Sequence, residues 1–316
     1  MKSMIAFAVT VLLACLLTGA PAAYATDIYV TKFDDGSIWK VDTVLGIPHL
    51  FAPGVSGTDN ATHLAYGPDG NFYETCESAD DVVKFNGQTG AYMGVVADAT
   101  SGLSGVQNIA FGPDGNLYVA SCSNDRILKY NTAGTFLGRF SAIGALSQPT
   151  SIAFGKDGNA YVSSYSQPFL TCLNGMTGAA LGTVGNWNSY DDRGGHELLT
   201  GPDGDLFVHS WNGEYLKIDR TTGQYAGVFA TNHSYFYPLG AGFADGYFYA
   251  TNFTNGQSNG GLLLFNEQTG AYLETVFSAE SYFRPSGLAV VPEPASLAIL
   301  ALGALGVVRR GTRRTR

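Results

Sequence analysis

A short motif recurs along almost the whole chain, and its period limits the folds that the chain can adopt. Clear copies are "LAYGPDGNFYE" (64–74), "IAFGPDGNLYV" (109–119), "IAFGKDGNAYV" (152–162) and "LLTGPDGDLFV" (198–208), with looser copies "AGFADGYFYA" (241–250) and "DIYV" (27–30). The last aromatic residue of the copies stands at Tyr29, Tyr73, Tyr118, Tyr161, Phe207 and Tyr249. Six strand-rich repeats at about 44-residue spacing predict a toroidal β-propeller rather than a stack of helical pairs.

Each repeat contains the signals of two hairpins. An apolar segment such as "IAF" is followed by Pro-Asp-Gly-Asn, whose proline and glycine suit the corners of a tight turn, and then by "LYVAS". A second turn recurs as "NGQTGAY", "NGMTGAA", "DRTTGQY" and "NEQTGAY", with glycine where a longer hairpin loop needs a left-handed residue. The repeat therefore predicts an all-β fold of six blades, each with four antiparallel strands.

The first repeat lacks an "IAF" segment before "DIYV", and the chain supplies one from its other end. Residues 285–291 read "PSGLAVV". We expect strand 286–291 to pair with the N-terminal blade, which closes residues 26–291 into one six-bladed ring without an unpaired edge.

The blade pattern, an apolar strand followed by Gly-Pro-Asp-Gly-Asn and an aromatic strand, resembles NHL-repeat propellers. It is more distantly similar to gluconolactonase-like and virginiamycin-lyase-like propellers. The resemblance covers residues 27–291 and implies the architecture. Because those propellers include hydrolases, lyases and binding modules, it does not by itself imply an activity.

The N-terminal residues 1–25 have the pattern of a secretory signal peptide. Lys2 precedes an apolar stretch from Met4 to Leu17, and Ala23 and Ala25 form an A-x-A cleavage site. A membrane anchor is the alternative, but the apolar stretch is shorter than the roughly 20 residues of a spanning helix.

Three features follow one another in residues 292–316. Pro292-Glu293-Pro294 precedes an uncharged segment, 295–308, and an arginine-rich tail, 309–316, that begins with Arg309 and Arg310. We predict a short transmembrane helix with its arginines on the cytoplasmic side. This order resembles the bacterial PEP-CTERM sorting signal. The resemblance implies processing by an exosortase, transient anchoring in the inner membrane, and a final location at the cell envelope, the outer surface or outside the cell.

The charge distribution bears on the partners. Of 17 lysines and arginines, six lie in the two terminal segments, whereas all but one of the 26 aspartates and glutamates lie between them. A body this acidic argues against nucleic acid as a partner.

Three cysteines remain once the signal peptide is set aside, at 76, 122 and 172. Cys76 and Cys122 occupy nearly equivalent places in neighbouring repeats, so they are the pair to consider for a disulfide in an oxidising compartment. Three reduced, packed thiols are the alternative.

Aligning the repeats identifies candidate binding residues around the axis. The aligned strand-start position nearest the axis is held by His63, Asn108, Ser151, Glu197, Leu239 and Gly287. His196 adjoins Glu197, and Glu74, His209 and Asn252 stand near the ends of the second strands. We predict His63, Glu74, Asn108, His196, Glu197, His209 and Asn252 as ligand-binding residues, because loops and strand ends at a ring mouth are common sites.

His63, Asn108 and Glu197 are also candidate ligands of a Ca²⁺ or Zn²⁺ ion on the axis. The resemblance to gluconolactonase-like propellers implies such a metal, held there by acidic and amide groups. This chain offers one acid and no second aspartate at the aligned positions, so polar lining of the channel is the alternative.

The loop "NSYDDRGGHE" (188–197) gathers Asp191, Asp192, Arg193, His196 and Glu197. It suits either an acid–base or ligand role or a solvated loop with local Arg/Asp pairing. Aromatic residues in or near connecting loops could stack on a sugar or pack within the blades. They are Trp187, Trp211, Tyr235, Phe236 and Tyr237.

No recognised catalytic motif accompanies these residues. The sequence therefore favours an exported surface or matrix binding protein, with exopolysaccharide, another glycan or a surface protein as the partner. A metal-dependent lactonase, hydrolase or lyase that uses the axial channel is the alternative, and no catalytic residue is predicted.

Overall fold

The structure is a computed structural model that describes residues 26–231, 239–252, 260–278 and 283–292. Residues Ile28–Val290 form one compact unit. The other unit consists of the chain ends, Met1–Asp27 and Val291–Arg316, of which only four residues are described.

The compact unit is built from six four-stranded antiparallel sheets, as the repeat predicts. Blade 1 contains β1 (Thr26–Lys32), β2 (Ser37–Asp42), β3 (Ile47–Ala52) and β24 (Pro285–Pro292); blade 2 contains β4 (Ala61–Tyr66), β5 (Asn71–Cys76), β6 (Asp81–Asn86) and β7 (Tyr92–Ala97). Blade 3 contains β8 (Val106–Phe111), β9 (Leu117–Ser121), β10 (Arg126–Tyr130) and β11 (Phe136–Arg139); blade 4 contains β12 (Pro149–Phe154), β13 (Asn159–Ser164), β14 (Leu170–Asn174) and β15 (Ala180–Val184). Blade 5 contains β16 (Gly195–Thr200), β17 (Leu206–Ser210), β18 (Glu214–Asp219) and β19 (Gln224–Thr231); blade 6 contains β20 (Ala241–Ala244), β21 (Tyr247–Asn252), β22 (Gly261–Asn266) and β23 (Tyr272–Ser278).

The closing strand lies where the sequence predicts it. The strand order in blade 1 is β24-β1-β2-β3, so the C-terminal strand is the inner strand of the N-terminal blade. Phe33 N donates to Arg284 O at 2.9 Å, and Gly287 N donates to Thr31 Oγ1 at 2.9 Å. Main-chain pairing therefore joins the two ends of the propeller, and β24 extends one residue beyond the predicted 286–291 at each end.

The aspartate of each Pro-Asp-Gly turn does more than form the turn. In blade 3, Asp114 Oδ1 accepts from Asn116 N at 3.1 Å, and its Oδ2 accepts from Tyr118 OH at 3.1 Å and pairs with Lys129 Nζ at 2.7 Å. The ammonium of Lys129 also lies over the Tyr118 ring, 5.2 Å from its centroid. The same arrangement recurs around Asp69 in blade 2, so the turn, the second strand and the third strand are tied together in each.

The core lies between blades. The last aromatic residue of a motif copy packs edge to face on an aromatic residue in the inner strand of the next blade. Tyr73 packs on Phe111 at 5.0 Å, and Tyr118 packs on Phe154 at 4.8 Å, between ring centroids. These tyrosines and Phe207 are almost fully buried. The repeated aromatic positions therefore contribute ring contacts between neighbouring blades.

Near the axis, two hydroxyl groups of one blade bond to the main chain of the next, an arrangement we call the hydroxyl pair. In blade 2, the Oγ1 atoms of Thr62 and Thr75 lie 2.8 Å apart and 2.8 and 2.9 Å from Gln107 O. In blade 4, Thr150 Oγ1 donates to Gly195 O and Ser163 Oγ donates to His196 O. In blade 1, Thr31 Oγ1 bonds to Ser286 Oγ, which donates to Ala61 O.

Blade 6 keeps one hydroxyl of the pair, Thr251, which bonds to Ser286 O, and blades 3 and 5 have neither. The equivalent positions hold Gln107 and Ala120 in blade 3, and His196 and His209 in blade 5. The side chains of Gln107 and His196 therefore do not form the bond that a hydroxyl at this position forms to the main chain of the next blade.

The three cysteines outside the predicted signal peptide are free thiols. Cys76 ends β5 and is fully buried, whereas Cys122 begins a short 3₁₀ turn after β9. The Cys76–Cys122 disulfide is therefore not formed in the structure. The structure instead has the reduced thiols that the sequence offers as the alternative.

The predicted signal peptide, 1–25, and the predicted apolar helix, 295–308, lie outside the described residues, and both stay predictions. Within the described ranges, no helix is long and apolar enough to cross a membrane.

Candidate ligand-binding site at the axial mouth

Three of the predicted residues meet on the propeller axis, although they come from three different blades. Asn108 Nδ2 lies 2.9 Å from His63 Nδ1 and 3.0 Å from Glu197 Oε2. His63 Nδ1 is 3.4 Å from the same carboxylate oxygen. We call these three residues the axial cluster; each is less than 10% exposed.

Irregular pairing at the start of the inner strands positions the cluster. The register between β4 and β5 shifts between Ala61 and His63, that between β8 and β9 shifts between Val106 and Ile109, and that between β16 and β17 shifts between Gly195 and Leu198. A β-bulge re-aims the side chains next to it. It allows two consecutive residues, such as His196 and Glu197, to line the same cavity.

The hydrogen bonds define the state of the cluster. The Asn108 amide has two hydrogens, and it can give one to His63 Nδ1 and the other to Glu197 Oε2. This arrangement assigns the proton of a neutral His63 to Nε2. Glu197 Oε1 makes no hydrogen bond with any described residue, and it is not among the side-chain atoms sealed from solvent.

A cavity of about 290 Å³ opens above the axial cluster, and we call it the mouth cavity. Its wall includes aromatic rings: Trp211 lies 4.2 Å from the His196 ring and 4.7 Å from the Tyr165 ring, between centroids, both edge to face. Tyr165 is 47% exposed. Polar groups from Gln107 and Glu77 complete the wall, so an apolar ring surface stands beside hydrogen-bonding groups.

A second cavity of about 270 Å³ follows the inner strands on the other side of the axial cluster. Its wall includes Phe111, Phe154 and Thr200, at the ends of the inner strands of blades 3, 4 and 5. The axial cluster lines both cavities and therefore separates them.

The blades without a hydroxyl pair supply two of the polar side chains in the mouth cavity. Gln107 Nε2 donates to Glu77 Oε1 at 2.9 Å. The Nε2 atom of His196 is sealed from solvent and has no hydrogen-bond partner among the described residues. These departures from the repeat therefore mark the site.

Burial keeps both histidines of blade 5 neutral. Desolvation lowers the pKa of His196 to about 4. Desolvation, and then the neighbouring His196, hold the pKa of His209 well below its usual value. At neutral pH neither imidazole adds a positive charge to the site.

Three of the predicted binding residues lie outside the mouth cavity, although the ring of His209 is 6.1 Å from that of His196, between centroids. Glu74 and His209 are fully buried, and Asn252 ends β21; none of the three lines the mouth cavity. Desolvation, followed by the nearby Asp35 carboxylate, raises the pKa of Glu74 well above its ordinary value. The structure thus brings together His63, Asn108, His196 and Glu197, but not Glu74, His209 and Asn252.

The axial cluster does not fit a metal site of the kind that the resemblance implies. An amide NH₂ lies between the imidazole and the carboxylate and donates to both, where a cation would need oxygen or nitrogen lone pairs. No group of three His, Cys, Asp or Glu side chains in the described part of the chain has a metal-binding arrangement.

Part of the loop 188–197 forms local contacts, whereas its last two residues, His196 and Glu197, line the mouth cavity. Arg193 Nε pairs with the buried Asp191 carboxylate at 2.9 Å, which is the local pairing that the sequence offers as one alternative. Trp187 is fully buried and donates from Nε1 to Arg193 O at 3.1 Å. It is a core residue, so stacking of this ring on a sugar is excluded. Tyr235, Phe236 and Tyr237 lie outside the described residues.

Sequence reasoning missed Glu77, Gln107 and Tyr165. Glu77 and Tyr165 directly follow β5 and β13, and Gln107 is the second residue of β8, at a position that holds threonine in blades 2 and 4. The signal that could have found Gln107 is this departure from the repeat at one aligned position.

Residues 290–314 match the family model of the PEP-CTERM protein-sorting motif. This match confirms the sorting motif at the C-terminus, and the motif indicates an exported protein that is sorted to the cell envelope. No curated protein matches the chain by sequence.

Solved structures share the fold at low identity. A chain in the crystal structure of a nidogen/laminin complex superposes with a TM-score of 0.68 at 15% identity, covering 85% of this chain and 99% of that one. A putative 6-phosphogluconolactonase from Bacteroides uniformis gives 0.59 at 13% identity, covering 84% and 99%. A catalytically inactive virginiamycin B lyase from Staphylococcus aureus, solved with quinupristin, gives 0.58 at 15%, covering 84% and 88%. At these identities the likeness shows the propeller fold alone.

Proposed function

We propose that this chain is an exosortase-processed binding protein whose propeller holds a saccharide at the axial mouth, on the cell surface or in the extracellular matrix. One observation carries the proposal. The mouth cavity places the exposed Tyr165 and the half-buried Trp211 beside the amides of Gln107 and Asn108 and the carboxylate of Glu77.

This combination suits a sugar better than a purely apolar ligand. The faces of a sugar ring are partly apolar and pack on aromatic rings, while its hydroxyl groups need donors and acceptors fixed around the ring. Gln107 and Asn108 are held by hydrogen bonds to Glu77 and to the axial cluster, so their amides are oriented before a ligand arrives. A cavity of about 290 Å³ accommodates one or two sugar units of a longer glycan.

The sorting motif supports the same function from another direction. It indicates export and delivery to the cell envelope, where polysaccharides are the abundant ligands. The absence of a recognised catalytic motif in the sequence fits a binding role, and we regard exopolysaccharide as the class of partner.

Binding of full-length protein, purified in a mild detergent, to a panel of oligosaccharides tests the proposal. We expect Trp211→Ala to weaken the affinity for the best saccharide by at least about tenfold, because buried tryptophan contacts dominate binding sites. Tyr92→Ala removes a 43% exposed aromatic ring from the outer strand β7 and serves as the control. Absence of binding to every saccharide tested, or equal effects of the two variants, would contradict the proposal.

A lactonase or lyase is the second candidate function, favoured by the convergence of His63, Asn108 and Glu197 from three blades. Turnover of lactones or cyclic depsipeptides by the full-length protein, abolished in His63→Ala, would establish it. Metal analysis of the same preparation is the companion measurement. Stoichiometric Ca²⁺ or Zn²⁺ that is lost in Glu197→Ala would contradict our conclusion that the axial cluster does not fit a metal.

A further inference from the structure

The charges around the mouth cavity are all of one sign. Glu77 and Glu197 line the cavity, and no lysine or arginine of the described residues does. His196 is neutral because burial lowers its pKa to about 4. A ligand at this site therefore meets two carboxylate side chains and, among the described residues, no lysine or arginine.

Glu197 is the more informative of the two acids, because it is only 5% exposed. A buried carboxylate is costly unless a cation or several hydrogen bonds compensate it. Glu197 Oε2 accepts one hydrogen bond from Asn108, and its ion-pair contact within the described residues is His63 at 3.4 Å. While His63 Nδ1 accepts from Asn108, that nitrogen has no hydrogen to donate to the Glu197 carboxylate.

The second oxygen of this carboxylate is available to a ligand. Glu197 Oε1 forms no hydrogen bond with the described residues and is not sealed from solvent. His196, the preceding residue, has a sealed Nε2 atom without a partner among those residues. Both side chains line the mouth cavity, where Trp211 adds a ring that attracts cations to its face.

We propose that the saccharide bound at the mouth carries a protonated primary amine, as in a de-N-acetylated amino sugar, and that its ammonium group binds against Glu197. This inference rests on the proposed function and narrows it to one class of glycan. Glu77, exposed at the rim of the cavity, attracts the same positively charged chain. The acidic body favours encounter with such a polymer.

Paired oligosaccharides test the inference. Calorimetric titration of the full-length protein at about pH 6, where a sugar amine is protonated, compares glucosamine oligomers with N-acetylglucosamine oligomers of the same length. We expect the amine form to bind at least about tenfold more tightly, and its affinity to fall more steeply as salt is added.

Variants assign the preference to the carboxylates. Glu197→Gln should reduce the ratio of the two affinities towards one, and Glu77→Gln should reduce it by a smaller factor. Glu274→Gln removes an exposed charge from the outer strand β23 and should leave the ratio unchanged. If Glu197→Gln fails to fold, the salt dependence and the Glu77→Gln ratio still decide the outcome.

Equal affinities for the two oligomers, or tighter binding of the acetylated form, would overturn this inference and leave saccharide binding intact. Binding of only uncharged or acidic sugars would do the same. Failure to bind any saccharide would defeat the proposed function as well.

Discussion

Glu74 shows how far the environment of one residue can depart from what its position in the sequence indicates. It stands near the end of β5, where the repeat suggests the ring mouth, yet it is fully buried. Neither carboxylate oxygen has a hydrogen-bond partner among the described residues. A carboxyl group in such a place is stable only in its protonated form, which is why its pKa is raised.

This pKa shift predicts a pH dependence of stability. Above the ordinary pKa of 4.5, the carboxyl group ionises in the unfolded chain while the folded chain keeps its proton, so folding becomes less favourable as pH rises towards the raised pKa. The free energy of unfolding of Glu74→Gln should therefore rise relative to that of the wild type, by up to about 1.4 kcal/mol per pH unit above 4.5. Urea denaturation at a series of pH values measures the difference. Glu274→Gln is the exposed control, and a difference for Glu74→Gln that does not change with pH would contradict the prediction.

At the residue scale, the sequence predicted part of the site. Alignment of the repeats places His63, Asn108 and Glu197 around one axis, and the three side chains are in contact there. That they bind a ligand stays a prediction. The repeat alignment does not show which face of a second strand lines the cavity and which face packs on the next blade, because both faces are buried in a propeller. Because of that ambiguity, the repeat alignment groups Glu74 and His209 with the axial residues.

At the scale of elements, the hydroxyl pairs are the repeated polar contact between neighbouring inner strands. Each pair bonds to main-chain groups of the following blade in a place closed to water, as Thr75 does with Gln107 O. Because buried carbonyl groups are costly without a donor, these contacts fix the spacing of blades near the axis. Blades 3 and 5 do not have these hydroxyl groups, and at the equivalent positions Gln107 and His196 line the mouth cavity.

Replacing one hydroxyl of a pair should destabilise the junction of blades 2 and 3. Thr75→Val keeps the shape of the side chain but removes the group that bonds to Gln107 O and accepts from His63 N. We expect the free energy of unfolding to fall by about 1–3 kcal/mol. Thr183→Val on the outer strand β15, where the side chain is exposed, should change it by less than about 0.5 kcal/mol. Equal effects in a thermal denaturation experiment would contradict the structural role of the pair.

The strands and turns were predictable from the sequence, whereas the bulges were not. Turn residues such as Gly90 and Gly178 take left-handed φ values of 70° and 69°, as the hairpin pattern requires. A bulge at the start of an inner strand leaves no comparable mark, because it depends on the pairing with the second strand rather than on local residue preference. The aromatic wall of the mouth cavity depends on the same tertiary geometry.

At the scale of the whole molecule, the ring depends on the contact between β24 and its neighbours. Gly287 lies where blade 1 meets blade 2, and a Cβ atom there would fall 2.4 Å from Leu64 N and 2.6 Å from His63 C. Both are main-chain atoms, which cannot move aside as the tip of a side chain does. A glycine is therefore needed for the inner strands to approach each other this closely.

Gly287→Ala should strain the closure of the ring. We expect the free energy of unfolding to fall by at least about 1–3 kcal/mol, because blades 1 and 2 must separate to accept the methyl group. The same displacement moves His63, so saccharide affinity should fall together with stability. Chemical denaturation and calorimetric titration measure the two effects, and a variant with wild-type values for both would contradict the role given to this contact.

Placing the inner strand of the first blade at the far end of the propeller sequence has a consequence for secretion. If the chain crosses the inner membrane amino terminus first, as the predicted signal peptide implies, β1 emerges long before β24 can reach it. Blade 1 then has only three strands until translocation is almost finished. Until then the ring is open, and β1 is an exposed edge strand. A chaperone would have this edge to protect, and exosortase would meet a substrate whose ring-closing strand, β24, overlaps the start of the matched sorting motif, residues 290–314.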